Sequence, residues 1–154
     1  MAEQNSFFQA VFPLPDLDAT KALGARIAAA LGPGDAVALA GDLGAGKTTL
    51  ARAILASLGV TEAVPSPTFT LMQSYDTPGL SVSHYDLYRL KNESEMDELG
   101  LEDALESGAA LIEWPERAGN RLPRERLTVQ LRAEPDGRRA DLSGPLRWQE
   151  LAHA

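Results

Sequence analysis

The chain has 154 residues, 44% of them hydrophobic and 23% charged, a balance typical of one globular domain with its own hydrophobic core. It contains no cysteine, which excludes disulfides, thiolate metal sites and a cysteine nucleophile. The formal net charge of −8 argues against broad, non-specific nucleic-acid binding, because such binding needs a basic surface that displaces counterions.

The first predicted elements are a strand and a helix. Residues 7–12 predict a short strand that Pro13 and Pro15 end. Asp16 or Asp18 can cap the helix that follows, since a carboxylate accepts hydrogen bonds from the free backbone N–H groups of a first turn. The N-terminus has no signal-peptide pattern, and no apolar run approaches the roughly 18 residues of a membrane span. We therefore expect a cytoplasmic protein without a membrane segment.

The next stretch carries the strongest chemical signal. Residues 35–40 have the pattern of a buried strand, and residues 49–58 have the apolar spacing of a helix. Between them, G-x-x-x-x-G-K-T is the pattern of a phosphate-binding P-loop, formed by Gly41, Asp42, Leu43, Gly44, Ala45, Gly46, Lys47 and Thr48. In such a loop the backbone N–H groups and the helix N-terminus hold the phosphates, Lys47 reaches the β- and γ-phosphates, and Thr48 binds Mg²⁺.

The middle of the chain predicts a hairpin and an interrupted helix. Two prolines make residues 64–68 irregular, and residues 68–75 and 80–87 flank turn residues as two strands of a hairpin. Residues 93–107 have an acidic, helical composition that is broken near Gly100.

The last third of the chain predicts strands. The apolar residues 109–112 lead into Glu113, and residues 127–133 and 140–143 flank a turn as two antiparallel strands. Residues 146–154 predict a short helix or a loosely attached tail. We therefore predict a single α/β domain over residues 1–154, a P-loop NTPase fold with a mostly parallel central sheet, antiparallel hairpin extensions and helices on both faces.

Two carboxylates can carry chemistry beside the P-loop. Glu113 follows a buried strand, which places it at the carboxyl edge of the sheet, where Mg²⁺ needs a second acidic group. Direct binding of the metal, binding through water, and orientation of the attacking water are all open for Glu113. Asp86 can position water, hold Mg²⁺ through water or accept a substrate proton, and its structural alternative is a cap or an ion pair. We expect His84, on the same strand face as Asp86, to be structural.

Three other positions are candidates for coupling to a nucleotide. Ser66 and Thr68 lie where a loop can sense the γ-phosphate, and a rigid polar turn is the alternative. Trp114 follows the strand that ends at Glu113, and it can cover the nucleotide, meet a partner or pack in the core. Arg89 can contact phosphate or form a surface ion pair. The absence of N-K-x-D, the usual guanine-reading motif, favours ATP over GTP.

Together these residues resemble the TsaE (YjeE) family of bacterial P-loop ATPases. The order and spacing of five motifs carry the resemblance: GDLGAGKTTL at 41–50, SPTFTL at 66–71, HYDLYRL at 84–90, ELGLED at 98–103 and IEWPE at 112–116. With FPLPD at 12–16, the resemblance covers about residues 11–140.

The resemblance implies specific ligands and site residues. ATP and Mg²⁺ are the implied ligands, with Thr48 and Glu113 holding the metal and the backbone of residues 42–49, up to Thr49, forming the phosphate cradle. It implies that Asp86 is needed for hydrolysis, and the P-loop chemistry by itself leads us to expect the same of Lys47. It also implies that Asp16, in the N-terminal segment, and Arg138, in the late hairpin, lie near the nucleotide.

The resemblance also implies a biological role. The family supports synthesis of threonylcarbamoyladenosine at position 37 of tRNA and acts with the TsaB–TsaD complex, so that contact with tRNA is indirect. We expect an isolated, monomeric chain to turn over slowly and to be stimulated by partners. Two other classes fit the P-loop: a small-molecule kinase with Asp86 as the base, and a nucleotide-responsive binding module that never turns over.

Overall fold

Seven strands form one mixed sheet in the computed structural model, which describes residues 7–42, 46–61 and 71–152. In chain order the strands are β1 (Phe7–Leu14), β2 (Ala36–Ala40), β3 (Met72–Thr77), β4 (Leu80–Asp86), β5 (Gly108–Glu113), β6 (Leu127–Glu134) and β7 (Gly137–Pro145). Their spatial order is β1-β7-β6-β2-β5-β4-β3. The four central strands, β6-β2-β5-β4, are parallel, and antiparallel pairs extend the sheet at both edges. The predicted α/β class and the mostly parallel centre with hairpin extensions are confirmed.

Helices cover both faces of this sheet. The α-helices are α1 (Leu17–Ala30), α2 (Lys47–Ser57) and α3 (Leu101–Ser107), and 3₁₀ segments span Glu93–Glu98, Pro115–Arg121 and Leu146–Ala152. Across the described ranges, no helix combines the length and the apolar character needed to cross a membrane.

Two hydrophobic clusters hold these layers together. On one face α1 and α2 pack on the sheet through a cluster that includes Ile27, Val37, Leu50, Ile54 and Leu111. On the opposite face a second cluster joins α3 and the first two 3₁₀ segments to the sheet through Tyr85, Leu87, Met96, Leu101 and Ile112. Because side chains alternate along a strand, β5 contributes Leu111 to one cluster and Ile112 to the other. The continuous apolar run of β5 is therefore the pattern of a strand covered on both faces.

Local signals explain most of the element boundaries. The Asp16 carboxylate accepts a hydrogen bond of 2.9 Å from the backbone N–H of Ala19 and thereby caps α1. The expected acidic helix is interrupted at Gly100, whose positive φ of 68° separates a 3₁₀ segment from α3. Helix α2 begins at Lys47, two residues before the predicted start. The first part of the predicted strand 68–75 lies outside the described residues, and β3 begins at Met72.

The C-terminal segment, for which the sequence left a loose attachment open, packs on the sheet as far as it is described. Trp148 and Leu151 are buried in the cluster beneath α1 and α2. The Arg26 guanidinium donates a hydrogen bond of 2.9 Å to the Leu151 carbonyl. Burial of an indole and a leucine contributes several kcal/mol, on the order of 2 or 3 for each side chain, and fixes this segment to the domain.

The close approach of α1 and α2 depends on Gly24. A Cβ atom at this position would lie 2.6 Å from the Ala53 Cβ atom and 3.0 Å from its carbonyl carbon. We expect Gly24→Ala to lower the free energy of unfolding by about 1–3 kcal/mol, because overpacking outweighs the gain in helix propensity. Urea unfolding measures the effect. Gly32→Ala is the matched control, since its Cβ would meet only the Asp35 carboxylate at 3.9 Å. A Gly24→Ala variant as stable as the original chain would contradict the prediction.

Candidate functional site

The site is built where α2 starts, immediately after the buried strand β2. Gly41 follows the last residue of β2, and Gly46 forms the N-cap of α2. Gly46 has a φ of 107°, which L side chains rarely adopt, so this turn into the helix requires a glycine. Leu43, Gly44 and Ala45 lie outside the described residues. The predicted order of strand, loop and helix is therefore present, with the N-terminus of an 11-residue helix facing the loop.

Lys47 is held by its own loop and by an aromatic ring. Its side chain is only 5% exposed, and its ammonium donates hydrogen bonds of 2.5 Å to the Gly41 carbonyl and 2.9 Å to the Asp42 carbonyl. The same nitrogen lies 3.9 Å from the centroid of the Trp114 ring, a cation–π contact. These contacts place the positive charge between the loop and the end of β5.

Burial lowers the pKa of the Lys47 ammonium below its ordinary value of 10.5. Nearby carboxylates act in the opposite direction, with Glu113 the strongest, followed by Glu116, Asp86 and Asp42. The positive charge is therefore partly desolvated and surrounded by negative groups. A cation in this setting interacts strongly with an anion that reaches it, because less water screens the pair.

Glu113 joins three elements through its carboxylate. It ends β5, is 2% exposed, and accepts hydrogen bonds from the Thr48 hydroxyl at 2.8 Å to Oε1 and 3.1 Å to Oε2. The Nε2 atom of His84, on β4, lies 2.6 Å from Oε2. Thr48 belongs to the first turn of α2, so the carboxylate bridges α2, β5 and β4. Both carboxylate oxygens thus have partners, as a buried charge requires.

The chemistry of Thr48 and Glu113 fits a magnesium ion. Mg²⁺ prefers hard oxygen ligands and commonly uses one or two protein groups together with phosphate oxygens and water. A hydroxyl and a carboxylate already within 2.8 Å of each other supply that kind of donor set. In the described part of the chain, no group of three or more histidines and carboxylates is arranged to hold a metal without other ligands. The donor set accordingly suits a metal that shares its coordination with phosphate.

Asp86 lies beside Glu113 at the same edge of the sheet. It ends β4, and its backbone is paired in register with Glu113 on β5. The side chain is half-buried and accepts a hydrogen bond of 3.1 Å from the backbone N–H of Tyr88. This bond matches the capping alternative left open by the sequence, while the position keeps the carboxylate close enough to act on the charge of Lys47.

Trp114 turns the chain away from the sheet directly after Glu113. Its φ of 58° lies in the left-handed region, which is unusual for a bulky residue. The half-buried indole packs against Tyr88 with ring centroids 4.9 Å apart, and the Arg117 guanidinium lies 5.6 Å from the centroid of the Tyr88 ring. The ring therefore packs against the second hydrophobic cluster and at the same time forms part of a cation–aromatic group that begins at Lys47.

The turn between β6 and β7 brings Arg138 to the P-loop. A Cβ atom at Gly46 would lie 3.5 Å from the Arg138 Cδ atom and 3.6 Å from its Nε atom, so the arginine side chain runs across the start of α2. The turn also abuts the start of α1, because a Cβ atom at Gly137 would lie 2.9 Å from the Pro15 Cα atom. Asp16 follows this proline and uses its carboxylate to cap α1.

For the other predicted positions within the described residues, the structure gives a location in the chain. Thr49 is half-buried in the first turn of α2 beside Thr48, and Arg89 is exposed after β4. Ser66 and Thr68 lie outside the described residues. Sequence reasoning missed the contact of His84 with Glu113, although the shared face of His84 and Asp86 was a usable signal once β4 was placed beside β5.

A buried parallel strand, a glycine-bounded loop ending in Lys-Thr, a helix, and a carboxylate on the adjacent parallel strand define a P-loop NTPase-type domain. Residues 14–140 match the family model described as threonylcarbamoyl adenosine biosynthesis protein TsaE. The chain belongs to the TsaE family.

Individual relatives agree with this assignment. The chain is 41% identical over 121 residues to the tRNA threonylcarbamoyladenosine biosynthesis protein TsaE of Bacillus subtilis, covering 78% of this chain and 75% of that protein. It is 44% identical to the protein of the same name from Rickettsia bellii, covering 78% of this chain and 84% of that one. The crystal structure of Bacillus subtilis YdiB superposes with a TM-score of 0.75 at 33% identity, over 94% of this chain and 90% of that one.

The hydrogen bond between Thr48 and Glu113 can be tested without a ligand. Thr48→Val keeps the side-chain shape but removes the donor to a buried carboxylate, so we expect the free energy of unfolding to fall by about 1–3 kcal/mol. Thr48→Ser keeps the hydroxyl and should lose much less. Thr49→Val, in the same helical turn, is the matched control for the change in polarity. Equal stability of Thr48→Val and Thr49→Val in urea unfolding would argue against the bond.

The lowered pKa of Lys47 predicts a pH dependence of stability. Below its folded-state pKa the lysine is charged in both states, and folding carries the full desolvation penalty. As pH rises from that pKa towards 10.5, the folded state releases its proton first, so the penalty declines. The free energy of unfolding of the original chain should therefore rise relative to Lys47→Met over this alkaline range. Parallel urea titrations at several pH values measure the difference, and a constant difference would contradict the prediction.

Proposed function

We propose that this chain binds ATP with Mg²⁺ and hydrolyses it, and that this hydrolysis supports threonylcarbamoylation of adenosine 37 in tRNA. The observation that carries the proposal is the hydrogen-bonded pair of Thr48 and the buried Glu113, placed at the N-terminus of the helix that follows the phosphate-binding pattern. An ordinary glycine-rich turn needs neither a buried carboxylate nor a buried lysine beside it.

Lys47 is the group that recognises the phosphates in this proposal. Its ammonium rests on the carbonyls of Gly41 and Asp42, and phosphate oxygens of ATP are stronger acceptors that can take their place. The negative charge of the phosphates also opposes the effect of burial on the lysine pKa and keeps the ammonium protonated. The backbone N–H groups at the start of α2, including that of Thr49, add donors that need no reorganisation.

Thr48 and Glu113 are the proposed Mg²⁺ ligands. When bound, Mg²⁺ would neutralise negative charge on the β- and γ-phosphates. The role of the protein is to keep a hydroxyl and a carboxylate together at the carboxyl edge of the sheet.

Asp86 and Arg138 complete the proposed catalytic surroundings. Asp86 is half-buried and is paired in register with Glu113 on the neighbouring strand, which supports a role in orienting or deprotonating an attacking water. Arg138 runs across Gly46 and adds positive charge beside the cradle. Asp16 borders the same turn and is proposed as a further contact to the nucleotide. Ser66 and Thr68 remain the proposed γ-phosphate sensors.

The proposed setting is a cytoplasmic protein complex. Membership of the TsaE family supports action with the TsaB–TsaD pair. The net charge of −8 supports indirect contact with tRNA, because a partner then has to supply the basic surface. Turnover of the isolated monomer should be low, and a partner that orders the site should raise it.

Removal of the Lys47 ammonium tests the proposed hydrolysis. We expect Lys47→Ala to abolish multiple-turnover release of inorganic phosphate from ATP and Mg²⁺, because the cation that balances the β- and γ-phosphates is lost. The exposed Lys21 of α1 provides the control Lys21→Ala, which should leave phosphate release unchanged. Unchanged hydrolysis by Lys47→Ala would refute the proposal.

The same assay separates the competing classes. The assay is run first without an acceptor and then with a small hydroxyl acceptor added. Consumption of ATP only when the acceptor is present would favour a kinase. Formation of a complex with TsaB–TsaD in the presence of ATP but without ADP production would favour a binding module. A tRNA threonylcarbamoylation assay with TsaB–TsaD, with and without this chain, then tests the biological role.

A further inference from the structure

His84 is a fully buried ionisable side chain beside the site. It is 0% exposed and lies in the middle of β4, where its backbone is paired in register with Leu111 of β5. It follows the buried Val82 on the same strand face and points towards the end of β5, because its Nε2 atom contacts Glu113 two residues further on. A histidine in such an apolar position needs a specific reason for its polar ring.

The contact with Glu113 assigns the hydrogen of the imidazole. Nε2 lies 2.6 Å from the carboxylate oxygen Oε2, and a carboxylate accepts, so the hydrogen resides on Nε2. Nδ1 is buried and has no hydrogen-bond partner within the described ranges. A bare ring nitrogen tolerates that setting better than a buried N–H group without an acceptor, which favours the same tautomer.

We propose that His84 is a positioning residue for Glu113. Its Nε2–H group fixes one oxygen of the carboxylate from β4, while the Thr48 hydroxyl fixes the group from α2. A glutamate has three side-chain torsions, and two donors from different elements select one arrangement of them. This inference rests on the proposed function in that the carboxylate so held is the proposed magnesium ligand.

Loss of the His84 donor should weaken the effect of Mg²⁺ on nucleotide binding and leave phosphate binding itself intact. In the proposed function Lys47 and the N-terminus of α2 bind phosphate, and the Lys47 ammonium donates to the carbonyls of Gly41 and Asp42. The orientation of the Glu113 carboxylate, by contrast, depends directly on its contact with His84. Removal of a hydrogen-bond partner behind a metal ligand commonly weakens metal affinity or activity by roughly 10–100-fold. ADP binding in the absence of Mg²⁺ should therefore be preserved when His84 loses its donor.

The experiment compares His84→Leu with His84→Gln in the full chain. Leucine removes the donor at similar volume, and the terminal amide of glutamine places an N–H group near the position of Nε2. Calorimetry with ADP over a range of Mg²⁺ concentrations should show that His84→Leu needs about 10–100-fold more Mg²⁺ for the same gain in ADP affinity. His84→Gln should recover most of this response. ADP affinity in the presence of EDTA should be equal in all three proteins.

Val82→Ala is the matched control for a cavity in the strand. Val82 is 1% exposed on the same face of β4, and its register partner on β5 is Ala109, four residues before Glu113. This variant should lower stability and leave the Mg²⁺ response of ADP binding unchanged. If His84→Leu behaves like Val82→Ala, the role of His84 is packing alone and the positioning role is wrong.

A second measurement tests the hydrogen bond without any substitution at the site. The only other histidine in the chain is His153, so His153→Gln leaves a single imidazole whose ring nitrogens long-range ¹⁵N NMR can assign. The expected spectrum is that of a ring with hydrogen on Nε2. Hydrogen on Nδ1 with a bare Nε2 would overturn the proposal, even if His84→Leu failed to fold.

The two proposals fail in different ways. Absence of both ATP hydrolysis and Mg²⁺-dependent ADP binding in the original chain would overturn the proposed function together with the metal role of Glu113. Normal hydrolysis and normal Mg²⁺ response in His84→Leu would overturn only the positioning role.

Discussion

The buried carboxylate of Glu113 is the constraint on which the site depends. A charged group that is 2% exposed has to be compensated where it lies, and Thr48 and His84 provide the compensation from two other elements. Removal of either donor leaves the buried carboxylate with one hydrogen-bond partner fewer. The free-energy cost of that unsatisfied buried group exceeds the net contribution of an ordinary hydrogen bond to stability. The carboxylate therefore couples the placement of α2 to the register of β4 on β5.

That coupling fixes the position of α2 relative to the ends of the strands. The side chains beneath α2 are aliphatic and set only an approximate depth for the helix, because apolar contact is not directional. Hydrogen bonds at 2.6 and 2.8 Å are directional, and they select one position of the helix N-terminus relative to the strand ends. Gly24 then allows α1 to pack closely against α2, and the C-terminal Trp148 is buried in the same hydrophobic cluster.

Much of the fold could be predicted because its signals are local. The run that becomes β2, the P-loop pattern after it and the apolar run that ends at Glu113 each reveal a strand end or a helix start without knowledge of the rest. Their meeting could be predicted from one rule, since parallel strands carry ligands at their carboxyl edge. The 3₁₀ geometry of residues 93–98 could not be predicted from the sequence. Composition distinguishes poorly between a 3₁₀-helix and an α-helix, whose hydrogen bonds differ in spacing by one residue. The contact of Lys47 with Trp114 could not be predicted either, since it depends on side-chain directions across distant elements. The approach of Arg138 to the P-loop is implied only by the family resemblance.

The internal contacts of Lys47 have a consequence for which anions the loop can select. The ammonium already has two carbonyl acceptors and an aromatic face, so an incoming anion gains only the difference between its own bonds and those it displaces. An anion that reaches the helix N-terminus as well as the lysine would gain more than one that meets the lysine alone. The internal contacts of Lys47 thus set a threshold that an incoming anion has to exceed before it can displace them. Selectivity of this kind comes from the strength of the contacts that must first be broken, and it needs no steric filter.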